Sequence, residues 1–435
     1  MAGEFENITN ALKIAYAPKM VEPMVNEETP FRRTLSKEVP SGGRVGEGIV
    51  KFGGNLNPPQ NVGNTVDGGT LAPVKDRTEV QFQLVPKLFT SAMQIGFITR
   101  AAANSNKSAF NGGELKRRTK EILVDIAKYI ESNYTSTHGT GRRARVESDG
   151  ASSTFVAALP EGTRLLRENF YISERTTDGG NTTGVDFRYI TAINHSTRTV
   201  TYSGADGVLV ANQHIYVVVE AAQTFTAPSA SGQSPFANGL RGLVDDGTYA
   251  QYIHGLDRTT AANAKLKANV FSNGGTLRNL TEQLLVRACH EIRARSGKRI
   301  TDIWTSEGQI EKYIEFVAPD RRLVVTGKTD TQNMVTGYKG DEMVHYAPGI
   351  AAKINLSFDI IPRELYLLNW DTFFHYEAKP LGWVDEGEML RLTPASSAYK
   401  ASYLGYVCSV EDIGCDMPIA NGVIRDLRDP AIGDA

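Results

Sequence analysis

The stretch from Gly42 to Gly69, GGRVGEGIVKFGGNLNPPQNVGNTVDGG, constrains the fold more than any other part of the chain. Nine of its 28 residues are Gly, two are Pro, and its apolar residues are too scattered to build a core. It leads into Thr78-Glu-Val80-Gln-Phe82-Gln-Leu84, a strict apolar/polar alternation that reads as a strand with one buried face. Such an arm cannot satisfy its own backbone, and an isolated two-stranded arm is marginal in water. Loops of this length in an ordered chain are functional or disordered. The expected partner is a neighbouring subunit, which points to assembly and away from catalysis.

Bulk properties fit that direction without fixing it. The 435 residues are enough for two or three domains at ~150 residues each. A hydrophobic fraction of 41 % and a charged fraction of 22 % are ordinary for a globular chain and argue against overall disorder. The formal net charge of −2 does not mark the whole chain as a nucleic-acid binder, although a local basic patch is compatible with it. No stretch approaches the ~20 apolar residues of a membrane-spanning helix, and no membrane partner is expected. The opening MAGEFENITNALK has early acidic residues and no apolar core, so it does not read as a secretory signal. Cys289, Cys408 and Cys415 have neither a disulfide-framework nor a zinc spacing, and read as plain thiols.

Periodicity gives an α+β chain. Phe5 to Ala17 reads as a short amphipathic helix stopped by Pro18. Glu114 to Tyr134 is the clearest helix: Leu115, Ile122, Ile126, Tyr129 and Ile130 form one stripe, and Gly139 follows as a left-handed stop. From about Thr154 to Ala221 short β-rich runs are punctuated by Pro160-Glu-Gly162, Asp178-Gly-Gly180 and Ala205-Asp-Gly207. A second helix is expected from Gly275-Thr276 to Ser296-Gly297, then a buried strand over Ile300–Trp304 and a helix opening at Ser306. Leu323–Val325, Val344–Tyr346, Phe358–Ile361, Glu364–Leu368 and Ala401–Val407 read as further strands.

Motifs for chemistry are missing where an enzyme would need them. The seven His show no metal-ligand spacing, and His290 cannot meet Cys289 because adjacent helical side chains diverge by about 100°. Gly42-Gly-Arg-Val-Gly46-Glu-Gly48 lacks the Lys-Ser/Thr ending and following helix of a phosphate loop. Arg142-Arg-Ala-Arg145 reads as a solvated turn or a source of inter-subunit ion pairs. Asp385-Glu386-Gly-Glu388 reads as surface charge. The sequence therefore predicts no enzyme, no catalytic residue, no metal and no cofactor.

The order of several short motifs resembles a known family. Asn7-Ile-Thr-Asn-Ala-Leu-Lys, the Glu22-Pro-Met-Val25 approach to Pro30-Phe31, and Thr137-His-Gly-Thr-Gly141 after the long helix resemble tailed double-stranded DNA bacteriophage major capsid proteins. So do Asn238-Gly-Leu-Arg-Gly-Leu-Val-Asp-Asp246 and Leu365-Tyr-Leu-Leu-Asn-Trp370-Asp. The resemblance runs from about Phe5 to Pro418 and implies the Hong Kong 97-type capsid fold. Its parts would be an N-terminal arm at 1–37, an extended loop at 38–90, and the spine helix with the start of the peripheral domain at 91–149. An inserted β-rich module at 150–235, an axial domain at 240–380 and a return to the peripheral domain at 381–435 would follow.

The implied function is an icosahedral head shell of hexamers and pentamers around packaged DNA, built through a scaffold-assisted procapsid in the host bacterial cytoplasm and ending in the virion. The implied partners are the chain itself, a separate scaffolding protein, a portal protein at one vertex, a possible decoration protein and non-specifically held DNA. An encapsulin-like protein compartment is the alternative. Inter-subunit contacts are expected at Arg44, Glu47, Lys51, Val80, Phe82, Leu84, Arg117 and Arg118.

Overall fold

A computed structural model describes residues 30–34, 44–46, 49–55, 79–96, 114–149, 153–176, 188–204, 209–218, 236–317, 337–339, 342–347, 350–384, 391–394 and 399–434. The expected helix over 5–17, the strand at 323–325, Glu47 and the acidic run at 385–388 lie outside the described residues. By contact density the chain divides into two units, each built from separated segments. One takes the described residues within 86–131 and 377–411; the other takes those within 30–85, 132–376 and 412–435.

The first elements are a one-turn helix α1 (Pro30–Thr34) and the strands β1 (Arg44–Gly46), β2 (Ile49–Asn55), β3 (Glu79–Leu84) and β4 (Lys87–Gly96). A five-residue helix cannot hold itself in water. Here Phe31 does the holding: it is fully buried, with its ring 5.2 Å from Trp304 and 5.3 Å from Trp370, centroid to centroid.

Helix α2 (Glu114–Ser136) runs 23 residues, as the apolar stripe predicts, and Ile126, Ile130 and Tyr134 are buried. It ends where Thr137 and Gly139 take over, the latter at φ +86°. In the smaller unit β4 pairs antiparallel over its whole length with a long strand described below, at Ser402–Glu411. Lys87 and Phe89 point to the buried side of that sheet, while Leu88 and Thr90 face out, the period-2 alternation of a half-buried strand.

Six strands then close a barrel: β5 (Arg142–Asp149), β6 (Thr154–Ala157), β7 (Tyr171–Arg175), β8 (Arg188–Asn194), β9 (Thr199–Gly204) and β10 (His214–Val217), in the order β10-β5-β6-β9-β8-β7. Val146, Phe155, Ile172, Ile190, Val200 and Ile215 fill it. Closure leaves no free sheet edge. The expected turn at Arg142–Arg145 is instead the start of the first barrel strand, and Arg143 is buried at 1 % exposure. Ala144 and Val146 are the inward residues of this strand, and the alternation was hidden because its outer face carries arginines, of which Arg143 is buried and donates to the Ser132 hydroxyl at 2.7 Å.

The rest of the larger unit is α+β. It contains α3 (Leu240–Leu243), the hairpin β11 (Tyr252–Ile253) and β12 (Leu256–Asp257), then β13 (Asn269–Phe271), α4 (Glu282–Ser296), β14 (Asp302–Thr305) and α5 (Glu307–Val317). The strands β15 (Gly337–Lys339), β16 (Glu342–Ala347), β17 (Ile350–Leu356) and β18 (Leu365–Leu368) follow. Strands β19 (Phe373–Trp383), β20 (Arg391–Pro394) and β21 (Tyr399–Cys415) form the sheet that β4 joins, and β22 (Gly422–Ile424) returns to the larger unit.

A mixed seven-stranded sheet runs β13-β22-β18-β14-β17-β16-β15, parallel only at β13/β22 and β14/β17. Leu285, Ala288, Cys289 and Ile292 of α4 and Tyr313 of α5 pack with Ile303, Leu365, Leu367 and Ile424.

Two expectations shift here. Helix α4 starts at Glu282 and not near Thr276, because Thr281 caps it by accepting from the Leu284 N–H while Arg278 bridges to Leu427. Phe358–Ile361 forms a turn, not a strand; Ile360 N–H donates to the Ser357 carbonyl, and the strand begins only at Leu365.

Candidate functional site

The Gly-rich arm finds its first partners inside the chain. Strands β1, β2 and β3 form a three-stranded antiparallel sheet that, among the described residues, joins no other sheet. Arg44 stands opposite Lys51, Val80 opposite Gly54, Phe82 opposite Phe52, and Leu84 opposite Val50. The chain's own β2 thus occupies one edge of β3, where the sequence suggested a strand from another copy. The physical reason is local: the hairpin at 46–49 folds β1 back on β2 and leaves β2's second edge open for β3.

The other edge of β3 is met by the Gln83 N–H, which donates to the His254 carbonyl at 3.1 Å. Phe82 and Leu84 are buried within this chain, at 2 % and 1 % exposure, so their side chains are already covered. The sheet therefore gathers Arg44, Lys51, Val80, Phe82 and Leu84, while Arg117 and Arg118 lie on α2 and outside it.

His254 is the anchor of that edge. It and Gly255 take φ +50° and +83°, two successive left-handed residues that close the two-residue turn between β11 and β12. The imidazole lies edge-on to Phe82, with centroids 6.4 Å apart, and stacks on Phe374 at 6.3 Å. Its Nε2 sits 3.1 Å from the Cys415 carbonyl oxygen and 3.2 Å from the Cys415 N. Burial, reinforced by the nearby Arg258 guanidinium, lowers the His254 pKa to about 4. The ring is neutral in the folded chain.

A second cluster joins the barrel to the seven-stranded sheet through buried charge. Glu161, in the turn after β6, accepts from Arg142 of β5 at 2.5 Å and from Arg241 of α3 at 2.9 Å. Arg241 also reaches Glu364 at 3.2 Å, and Glu364 accepts from the Tyr366 hydroxyl at 2.5 Å. Arg425 donates to Asp245 at 2.9 Å, and Arg258 donates to the carbonyls of Asp245 and Gly242 at 2.6 and 2.8 Å. The Tyr249 ring lies between the Arg241 and Arg425 guanidiniums, 4.3 Å from each. Burial opposes the charge on Glu161, yet Arg142 and Arg241 together hold its pKa down at about 2. Burial brings the Arg258 pKa down to about 10 against the pull of Asp245.

This cluster explains the Asn238–Asp246 motif. A Cβ on Gly239 would lie 2.1 Å from the Thr137 carbonyl oxygen, and one on Gly242 would lie 2.9 Å from the His138 carbonyl. Only glycine lets α3 approach the Thr137–Gly141 backbone this closely. The approach then delivers Arg241 and Asp245 to the ion pairs. Sequence reasoning singled out Arg142 but missed Glu161, Glu364 and Arg425, which carry no local pattern.

The chemistry of these clusters is cohesive. Among the described residues no group of three or more His, Cys, Asp or Glu could hold a metal ion. Cys289, Cys408 and Cys415 are all buried, and burial pushes the Cys289 and Cys415 thiols up to about 12. Cys289 is buried while His290 is exposed, as their adjacent helical positions require.

No family model and no curated protein matches the chain. Among solved structures it is similar to a chain of the cyanophage A-1(L) capsid asymmetric unit, at 13 % identity over 94 % of this chain and 96 % of that one, with a TM-score of 0.47. It is also similar to the capsid of a native GTA particle, at 9 % identity over 94 % and 93 %, with a TM-score of 0.46. A third likeness is to the SrpI encapsulin of Synechococcus elongatus, at 8 % identity over 94 % and 91 %, with a TM-score of 0.41. At these scores each is a likeness to a shell protein and carries no argument about what this chain does.

Proposed function

We propose that this chain is a shell-forming major capsid protein of the tailed-phage type, with the Hong Kong 97-type arrangement of arm, extended loop, spine helix, and peripheral and axial domains. The observation that carries the reading is the β1–β3 sheet. Its strands are three, seven and six residues long, it joins no other described sheet, and it is fixed where Gln83 meets His254. Phe82 and Leu84 are already covered within the chain, but the outer edge of β1 pairs with no strand among the described residues. A second copy can supply a partner for that edge, and one such heterologous contact repeated by rotation closes a ring.

The 23-residue helix α2 and the buried ionic joint supply the stiffness a shell wall needs. In this reading the barrel is a module inserted into the capsid fold. The subunits form hexamers and pentamers in the host cytoplasm on a separate scaffolding protein, with a portal at one vertex and decoration as an option, and the finished virion head encloses double-stranded DNA.

The test is expression of the chain alone and with a scaffolding protein, imaged by negative-stain electron microscopy. Closed or aberrant polyhedral shells are expected, and deletion of 44–66 should leave folded subunits that make none. Small oligomers only, even with the scaffold, would sink the proposal. Shells filled with protein cargo and free of nucleic acid would move it to an encapsulin-like compartment.

A further inference from the structure

The overall charge of −2 conceals one concentrated basic surface. Between Arg287 and Arg299, on α4 and the turn after it, stand Arg287, Arg293, Arg295, Lys298 and Arg299. The buried side of α4 is Leu285, Ala288, Cys289 and Ile292, so Arg287 sits at the middle of the solvent face, with Arg293 and Arg295 flanking it. Arg287, Arg295, Lys298 and Arg299 are exposed.

Two carboxylates offset part of this charge. Glu291 pairs with Arg295 at 2.5 Å, and Asp416 lies within electrostatic reach of Lys298. Arg293 has an interaction of its own as well, which leaves two of the five cations, Arg287 and Arg299, uncompensated among the described residues. Arg287 and Arg299 have no side-chain ion pair among the described residues.

Favourable interaction with the helix dipole is the ordinary reason for cations at a helix C-terminus, and it falls off within the last turn. It accounts for Arg293 and Arg295. It does not account for Arg287, nine residues before the end of the helix, or for Lys298 and Arg299 beyond the Gly297 cap, where φ is +73°.

We infer that this face of α4 is a contact surface for the phosphate backbone of a nucleic acid, read by charge and not by sequence. The guanidinium fork matches two phosphate oxygens, and exposed arginines on a rigid helix lose little freedom in making the contact. His290 is exposed within the same stretch; contact by charge alone predicts the same affinity for duplexes of different sequence. The inference rests on the shell proposal for the source of the nucleic acid, which would be the packaged duplex; the binding itself does not depend on assembly.

The experiment measures binding of the full chain to a fluorescein-labelled 25-base-pair duplex by anisotropy across a salt series. With about two phosphates neutralised, log K should fall with log salt at a slope of about −1.8, a loss of about 12-fold between roughly 50 and 200 mM. In R287A/R299A no uncompensated cation of the stretch remains, and the slope should fall close to zero. Both side chains are exposed and unpaired, so circular dichroism and melting should match the parent.

An unchanged slope in the double variant, or no duplex binding at 50 mM salt, overturns the proposal. Displacement of the duplex by poly-glutamate at equal charge concentration also overturns it, in favour of an acidic protein partner. If the parent binds duplex as described yet makes no shells, the shell proposal fails while the surface stands. If shells form but the slope is unaffected by the variant, the surface fails alone.

Discussion

Replacing Glu161 by Gln removes one charge from the buried joint while keeping the shape of the side chain. Glu161 is 6 % exposed and serves both Arg142 and Arg241. Its pKa falls from 4.5 to about 2 because the two guanidiniums overcome the burial that opposes its charge. That depression corresponds to about 3 kcal/mol, at ~1.4 kcal/mol per tenfold change in proton affinity. Breaking a buried pair from one side gives a similar range, about 3–5 kcal/mol.

A carboxylate with a depressed folded pKa contributes stability above its unfolded pKa and loses it as pH falls toward the folded one. The gap between parent and E161Q should therefore be about 3 kcal/mol at pH 7 and about 1 kcal/mol at pH 3. Urea unfolding followed by circular dichroism at both values measures it. A gap below about 1 kcal/mol at pH 7 would falsify the reasoning, because Glu161 would then be screened or redundant with Glu364. A gap of the same size at pH 3 would mean that E161Q acts through packing and not through charge.

Two further outcomes follow from buried groups elsewhere. His254 and His345 are both lowered to about 4, chiefly by burial, so the unfolded chain binds protons first as pH falls below about 6.5. Stability should drop between pH 6.5 and 4, with up to about 3 kcal/mol lost per histidine; a melting temperature flat across that window would contradict their burial. Gly239→Ala places a methyl group 2.1 Å from the Thr137 carbonyl oxygen and 2.6 Å from that of Asn133, both backbone atoms that cannot turn aside. A cost at or above the usual overpacking range of about 1–3 kcal/mol is expected in the same urea assay, and an unchanged midpoint would show that α3 can move off the end of α2.

Local pattern was enough for elements whose cause is local. The stripe from Leu115 to Ile130 gives α2, and the β-rich stretch from about Thr154 to Ala221 contains β6 to β10. Period and propensity are short-range properties, so the sequence by itself decides them. It also carries the close-approach glycines of the Asn238–Asp246 motif, though not what they approach.

The joint could not be read that way. Arg241 stands 80 residues from Glu161, and Arg425 stands 180 from Asp245. An ion pair leaves no periodic trace when its partners come from different elements. The same cause hid the first barrel strand: Ala144 and Val146 face inward as alternation expects, but Arg143 on the outer face is buried by a partner from another element, Ser132. The arm shows the division most plainly: its glycines and its alternating strand were visible in the sequence, but the choice of β2 and His254 as the partners of β3 depends on which backbone edges the folded chain brings within hydrogen-bond reach.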